Sequence, residues 1–143
     1  MQDSECEACV KIIKDGGAVD HHSAARELRR AAVVAIARNR DEIVGVGVIK
    51  RARPWYAARI AERSGVSFQT DMKELGYVAV DSEHRRRGLS SCIVSALLST
   101  HDGQLFATTD DAHMKRTLEK AGLLMKGKEW YGKRSQLSLW MRG

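Results

Sequence analysis

One strand–turn–helix unit in the second half of the chain constrains the fold most. An apolar strand is predicted over Lys73–Asp81, and an amphipathic helix begins at Leu89, with Ala96 and Leu97 on its inner face. A short apolar segment, Gln104–Thr109, follows that helix. Two strands joined through a helix should begin side by side and parallel. The unit therefore predicts a mixed α/β protein.

Shorter helices and hairpins are predicted around this unit. Capping residues, turn clusters and apolar periodicity mark their bounds. In chain order they are a helix that Ser4 and Glu7 begin, a helix over about Asp20–Arg30, a hairpin of Ala31–Arg38 with Ile43–Ile49, a helix starting at Pro54, a helix capped by Asp110 or Asp111, and strands Leu123–Trp130 and Ser135–Met141.

Composition fits one soluble domain spanning residues 1–143. Apolar residues make up 43% and charged residues 29%, and the longest apolar runs have seven residues. A bilayer span needs about 18 or more, so no transmembrane helix is predicted. The first residues lack the pattern of a secretory signal. Lysine and arginine number 24 against 18 acidic residues, and the net charge of +6 suggests an anionic partner.

The cysteines predict neither a disulfide framework nor a metal site. Cys6 and Cys9 form one C-x-x-C pair, and Cys92 stands alone. A structural zinc site needs a second pair of ligands at a matching spacing. An odd cysteine count without a signal peptide indicates a reducing cytoplasm.

The loop before the helix at Leu89 has the chemistry of a phosphate-binding site. Its residues are Arg85, Arg86, Arg87, Gly88, Leu89 and Ser90. Backbone N–H groups at a helix start attract anions, a glycine allows close approach, and arginines add charge and donors. The loop therefore predicts a cradle for a pyrophosphate.

This loop resembles the hallmark of the GNAT superfamily of acyl-CoA N-acyltransferases, [RQ]-x-x-G-x-[GA], with Ser90 at the last small position. The apolar lead-in Val78–His84, the turn Glu42–Gly45 and the pair Gly122-Leu123 are also similar to family features. The resemblance extends from Ser4 to Met141. One departure is that the family usually opens with a strand, and none is predicted before Ser4.

The resemblance implies a mostly antiparallel sheet with a central, splayed parallel pair flanked by helices. The departure at the start of the chain suggests a sheet without the family's first edge strand. It implies an N-acetyltransferase that moves an acetyl group from acetyl-CoA (coenzyme A) to an amine by direct attack in a ternary complex. Val78, Ala79 and Val80 would line the pantetheine arm, and the amides of residues 85–90 would hold the pyrophosphate. The Val78 N–H, or a neighbouring one, would polarise the thioester carbonyl.

Glu74 is the predicted catalytic base. It lies eleven residues before Arg85, a spacing at which some lysine-acetylating members of the family carry a glutamate base. A carboxylate beside Leu75 and Tyr77 could have its pKa raised toward that role. The alternative is a solvated charge at the start of a strand.

The general acid is not predicted. The family's tyrosine position is Leu118 here, and its asparagine position on that helix is Asp111. Tyr131 and His113 are nearby in sequence, but their spacing favours neither, and water may serve instead.

Two other functions stay open: a CoA-binding module without turnover, and a basic domain that binds nucleic acid through the arginine loop. The amine could belong to a small molecule or a protein. Trp55, Tyr56 and Phe68 either form an aromatic wall at the acceptor or bury their helix. A homodimer could form by pairing of the apolar strand Leu137–Met141.

Overall fold

The computed structural model describes residues 2–16, 21–69 and 71–142, which form one six-stranded sheet with helices on both faces. The sheet order is β1-β2-β3-β4-β6-β5. The helices are α1 (Asp3–Asp15), α2 (His21–Arg30), α3 (Pro54–Ser64), α4 (Leu89–Ser99) and α5 (Ala112–Lys120), and the strands are β1 (Val33–Asn39), β2 (Glu42–Arg51), β3 (Lys73–Val80), β4 (Leu105–Thr109), β5 (Leu124–Tyr131) and β6 (Gln136–Arg142).

The strand directions confirm the predicted fold class. β3 and β4 are parallel, and every other pair in the sheet is antiparallel. Within the described residues no strand precedes α1, and β1 forms one edge of the sheet, as predicted. The predicted helix start at Asp20 lies outside the described residues.

The parallel pair separates almost as soon as it begins. Lys73 pairs with Leu105, and Glu74 pairs with Phe106, and the pairing then stops. β3 nevertheless continues to Val80, and β4 continues to Thr109. From Leu75 onward, the edge of β3 that faces β4 therefore has no ladder partner, and a gap opens between the strands.

A bulge in β3 lies beside this gap. Val46 of β2 pairs with Ala79, but Val48 pairs with Gly76, so β3 carries one more residue than β2 over this stretch. Tyr77 has a φ of 51°, a left-handed backbone conformation that is unusual for an aromatic residue. An inserted residue of this kind defines a β-bulge.

The bulge corrects the predicted faces of β3. Simple alternation would set Leu75, Tyr77 and Ala79 on one face, but Leu75 instead joins Val78 and Val80 in the core under α4 and α5. Tyr77 and Ala79 pack on the other side, against the core of α1 and α2. One extra residue inverts the alternation of side chains along a strand.

Two layers of helices cover the sheet. Ile93 and Leu97 of α4 pack with Leu118 of α5 in one core. On the opposite face, α1 and α2 pack against β2, while α3 packs against Phe106 of β4 and Leu139 of β6. The second strand of the predicted hairpin is buried on both faces, as expected for a central strand.

Three local predictions are wrong. Gln2 and Glu5 form the capping box of α1, rather than Ser4 and Glu7, because the helix begins two residues earlier than predicted. Ala96 is exposed on α4, and Val94 takes the buried position. The strand proposed for dimer pairing is β6, which already lies between β4 and β5 and has no free edge.

Gly47 provides a test of how closely α4 packs on the sheet. A Cβ at Gly47 would lie 2.5 Å from Ile93 Cγ2 and 3.0 Å from Leu97 Cδ1. We therefore expect Gly47→Ala to lower the free energy of unfolding by about 1–3 kcal/mol, the usual effect of overpacking, measured by urea denaturation.

Gly76→Ala is the matched control, because it is also a strand glycine. Its Cβ would meet nothing nearer than Lys50 Cε at 3.5 Å, an ordinary contact. We expect this variant to be as stable as the parent or slightly more stable, since alanine costs less backbone entropy in a strand. Equal stability losses in both variants would contradict the predicted packing.

Candidate active site

The predicted phosphate loop forms an open helix start. Gly88 is the N-cap of α4, with a φ of 77°, and no side chain caps this end of the helix. The first helical hydrogen bond runs from Cys92 N to Gly88 O at 3.1 Å. The N–H groups of the first turn therefore remain available to an anion, as at other uncapped helix starts.

The segment just before the loop is tied to the rest of the fold. The Asp81 N–H donates to Val44 O at 2.8 Å. His84 is buried, with its Nε2 3.2 Å from Asn39 Nδ2. Arg85 Nε donates to Val80 O at 3.1 Å, across the turn. These contacts fix the position at which the loop leaves β3.

Arg86 and Arg87 supply positive charge at the open helix start. Both are exposed, and within the described residues neither forms an ion pair. Arg86 has a φ of 66°, so the chain turns sharply before Gly88. The loop therefore carries two unpaired guanidinium groups beside the first-turn amides.

The backbone at the start of α4 is open to solvent. A Cβ at Gly88 would meet no atom within 4 Å, so the backbone is open where an anion would approach it. Leu89 and Ser90, the first residues of α4, are half-buried and offer their N–H groups. The residues present thus fit the pyrophosphate of coenzyme A.

The other predicted cofactor residues line the gap between β3 and β4. Val78 and Ala79 are half-buried, and Val80 is buried at the end of β3. Their backbone on the β4 side lies beyond the last parallel pair. This edge leads directly into the phosphate loop, so one extended ligand could contact both.

Glu74 lies where the gap begins. It is the last residue of β3 to pair with β4, and only 6% of it is exposed, so it is not a solvated surface charge. Lys50 is its partner on β2, with Nζ 3.8 Å from Glu74 Oε1. Burial raises the pKa of Glu74 to about 7; the Lys50 ammonium lowers it, and Glu27 adds to the rise.

Lys50 is held by three groups and not by Glu74 alone. Its Nζ is 4.0 Å from Glu27 Oε2 and 4.2 Å from the centre of the Tyr77 ring. Glu27 on α2 also pairs with Arg30 at 2.8 Å and with Arg53 at 3.2 Å. Of the two carboxylates beside Lys50, Glu27 therefore forms more ion pairs than Glu74.

Tyr56 reaches the same region from α3. Its hydroxyl is 3.0 Å from Oγ1 of Thr108, which lies on β4 two residues beyond Phe106. Burial, followed by the nearby Glu74 carboxylate, raises the pKa of Tyr56 to about 12. Glu74 thus lies on the β3 side of the gap, and the Tyr56 hydroxyl, which α3 carries, contacts the β4 side.

The other aromatic residues near α3 have different roles. Phe68 packs on Phe106 with ring centres 5.0 Å apart, which is a core contact. Trp55 is 63% exposed and meets the Tyr56 ring edge to face. Sequence patterns identified Tyr56 only as an aromatic residue, because its bond to Thr108 depends on tertiary packing.

No predicted candidate takes the position of the family's general acid. Leu118 is fully buried in the core under α5. The Asp111 carboxylate caps α5 by accepting from Met114 N at 2.9 Å. Tyr131 is 78% exposed on β5, and His113 is exposed on α5.

The described residues hold neither a metal-binding cluster nor a membrane-spanning helix. They contain no group of three or more histidine, cysteine, aspartate or glutamate side chains that could hold a metal ion. They also contain no helix that is long and apolar enough to cross a membrane.

Solved structures resemble the whole chain. No family model matches the sequence, and no curated protein does either. A GNAT-family acetyltransferase from Streptococcus agalactiae has a TM-score of 0.77 and 12% identity, over 99% of this chain and 91% of that chain. A ribosomal-protein-alanine N-acetyltransferase from Brucella melitensis has a TM-score of 0.73 and 16% identity, over 99% of this chain and 96% of that chain.

A third neighbour was solved with a ligand. It is a Salmonella typhimurium protein in complex with its cofactor acetyl-CoA, with a TM-score of 0.72 and 14% identity, over 99% of this chain and 90% of that chain. At these identities the likeness concerns architecture alone. The chain therefore has the fold of the GNAT-family acetyltransferases.

Proposed function

We propose that this protein is an N-acetyltransferase that moves an acetyl group from acetyl-CoA to a primary amine. The observation that carries the proposal is the end of β3–β4 pairing at Glu74 and Phe106. A buried carboxyl group lies where the gap begins, and the gap leads to an uncapped helix start. Two arginines precede that helix and form no ion pair with the described residues. A thioester with a diphosphate at its far end fits both features.

The cofactor residues divide between backbone and side chains. The first-turn amides of α4, with Arg86 and Arg87, bind the pyrophosphate. Arg85 holds the turn through Val80 O. The backbone of Val78, Ala79 and Val80 that faces the gap, apart from Val80 O, hydrogen-bonds the pantetheine arm, and one of its N–H groups polarises the carbonyl. Bound acetyl-CoA supplies the activated acetyl group.

Glu74 is the general base in this proposal. An aliphatic amine arrives protonated at neutral pH and must lose a proton before it can attack a thioester. A carboxyl group with a pKa of about 7 is partly ionised there and is basic enough to accept that proton. The nitrogen then attacks directly, without a covalent enzyme intermediate.

The acceptor class remains a primary amine on a small molecule or a protein. The Brucella neighbour is named for acetylation of an alanine of a ribosomal protein. An Arabidopsis thaliana neighbour was solved with a bisubstrate analogue. For this chain we propose only the chemistry that these neighbours share, namely an acyl donor and an amine acceptor. Three free cysteines are consistent with the proposed cytoplasmic location.

A CoA-binding module without turnover is the second candidate. Two observations favour it: Leu118 is buried where the family carries a tyrosine, and Glu74 has a counterion in Lys50. Binding and turnover therefore need separate tests.

The first test is thermal melting with acetyl-CoA. A ligand at 100 times its Kd should stabilise the protein by about 2.7 kcal/mol. We expect a clear rise in Tm for the parent and none for Gly88→Glu, because the new carboxylate repels the pyrophosphate.

Gly65→Glu is the matched control for that variant. Gly65 follows α3 with a φ of 78°, and a Cβ there also meets nothing within 4 Å, so the backbone strain is comparable. The control should melt at a lower temperature but keep the acetyl-CoA shift. Loss of the shift in both variants, or no shift in the parent, would contradict the proposed cofactor site.

The second test is turnover with a panel of primary amines. It includes a peptide with N-terminal alanine, a lysine peptide and spermidine, and the acetylated product is measured by mass spectrometry. We expect Glu74→Gln to lower kcat by about 10²–10⁴-fold, the usual contribution of a general base. Cofactor binding without any acetylated amine in the parent would favour the second candidate.

The pH dependence tests the role of Lys50. A base works when it is deprotonated, so kcat/KM should rise with pH through about 7, the pKa of Glu74. Lys50 lowers this pKa, so Lys50→Met should move the midpoint to higher pH. Lys50→Arg keeps the charge and should leave the midpoint near that of the parent. A midpoint that does not move in Lys50→Met would show that another group limits the rate.

A further inference from the structure

The reaction proposed above leaves one step without a residue, namely stabilisation of the sulfur that departs. Negative charge develops on this sulfur as the C–S bond breaks. The family's position for the assisting group is Leu118, which is fully buried and apolar. A donor must therefore come from another element or from water.

Tyr56 is a candidate on geometric grounds. Its hydroxyl lies 3.0 Å from Thr108 Oγ1, on the part of β4 that has already separated from β3. Residues 106 and 108 share one face of β4 by alternation, and Phe106 is the partner of Glu74. Tyr56 and Glu74 therefore approach the start of the gap on the same face, from its two sides.

We infer that the Tyr56 hydroxyl donates a hydrogen bond to the thioester sulfur as the C–S bond breaks. This inference rests on the proposed function, since it assigns a second residue to the same reaction. It gives α3 a part in catalysis in addition to its part in the core.

Glu74 first takes one proton from the ammonium group and releases it to solvent. The neutral nitrogen then forms a bond to the carbonyl carbon and gives its second proton to Glu74. The C–S bond breaks, and its electron pair goes to sulfur. Tyr56 keeps its proton and stabilises the thiolate, which takes a proton from solvent after it leaves, while Glu74 returns its proton to solvent. The side chain thus acts as a hydrogen-bond donor.

The surroundings of Tyr56 suit a donor that stays protonated. Burial, followed by the Glu74 carboxylate, raises its pKa to about 12, although the hydrogen bond with Thr108 lowers it; Tyr77 adds a smaller rise and Arg59 a smaller lowering. Glu74, by contrast, titrates near 7. Two groups whose environments separate their pKa values in this way fit a base paired with a donor. Thr108 can donate to the Tyr56 oxygen, which leaves the Tyr56 proton free to point into the gap.

The test compares two leaving groups in Tyr56→Phe. The donors are acetyl-CoA and its selenoester analogue, in which selenium replaces the thioester sulfur. A selenolate is the weaker base and needs less help to leave. Single-turnover rates are measured by mass spectrometry with the fastest amine of the acceptor panel. We expect Tyr56→Phe to slow transfer from acetyl-CoA about 10- to 100-fold, the effect of one hydrogen bond to a charged group.

The same variant should transfer from the selenoester at nearly the parent rate and bind acetyl-CoA as the parent does. Glu74→Gln should slow acetyl transfer from both donors. Thr108→Val should repeat the Tyr56→Phe pattern more weakly, and Thr108→Ser should restore the parent pattern. Tyr131→Phe changes an exposed tyrosine on β5 and should leave the rate of acetyl transfer from either donor unchanged.

Two results would overturn the inference about Tyr56 and leave the proposed function intact. One is an active parent whose Tyr56→Phe variant is equally fast with acetyl-CoA. The other is an equal loss on both donors, which would indicate a role in packing or at the carbonyl oxygen. A parent that binds acetyl-CoA but acetylates no amine from either donor would refute the proposed function, and this inference with it.

Discussion

The structure depends on the early end of pairing between β3 and β4. Two parallel strands in the middle of a sheet normally share hydrogen bonds along their length, but here the pairing stops after Glu74 and Phe106. Unpaired backbone groups in a protein interior are costly unless something else satisfies them. An extended, amide-bearing ligand arm could satisfy this edge, as could water. The open edge is therefore the feature that most directly connects the fold with a function.

Packing and charge contacts between β2, β3 and α4 position the groups near the gap. The bulge at Tyr77 turns Val78 and Val80 toward the core under α4, and it turns the Tyr77 ring toward Lys50. α4 packs tightly on the sheet at Gly47, so its N-terminus is held at the end of the gap. On β2, Lys50 keeps the pKa of the Glu74 carboxyl below the value that burial alone would produce. The proposed anion site and the proposed base thus belong to one rigid framework.

The sequence was informative where local patterns decide structure. Alternation, capping residues and turn clusters predicted the order of helices and strands, and the loop at Arg85–Ser90 predicted the position of the open helix start. The faces of β3 were mispredicted because one inserted residue reverses the alternation of side chains, and the residue types of the strand do not indicate this insertion. The family resemblance proposed Glu74 through its spacing from Arg85, but the pairing of Glu74 with Lys50 could not be predicted. The contact of Tyr56 with Thr108 joins residues 52 positions apart, and nothing local indicates it.

The most direct test of the central claim is a crystal structure of this protein with coenzyme A. We predict that the pantetheine arm lies between β3 and β4, with hydrogen bonds to the backbone at residues 78–80. The pyrophosphate should lie on the first-turn amides of α4, and the sulfur should lie within hydrogen-bonding distance of the Tyr56 hydroxyl. Coenzyme A bound outside the gap, or pairing of β3 with β4 beyond Glu74 in the complex, would contradict it.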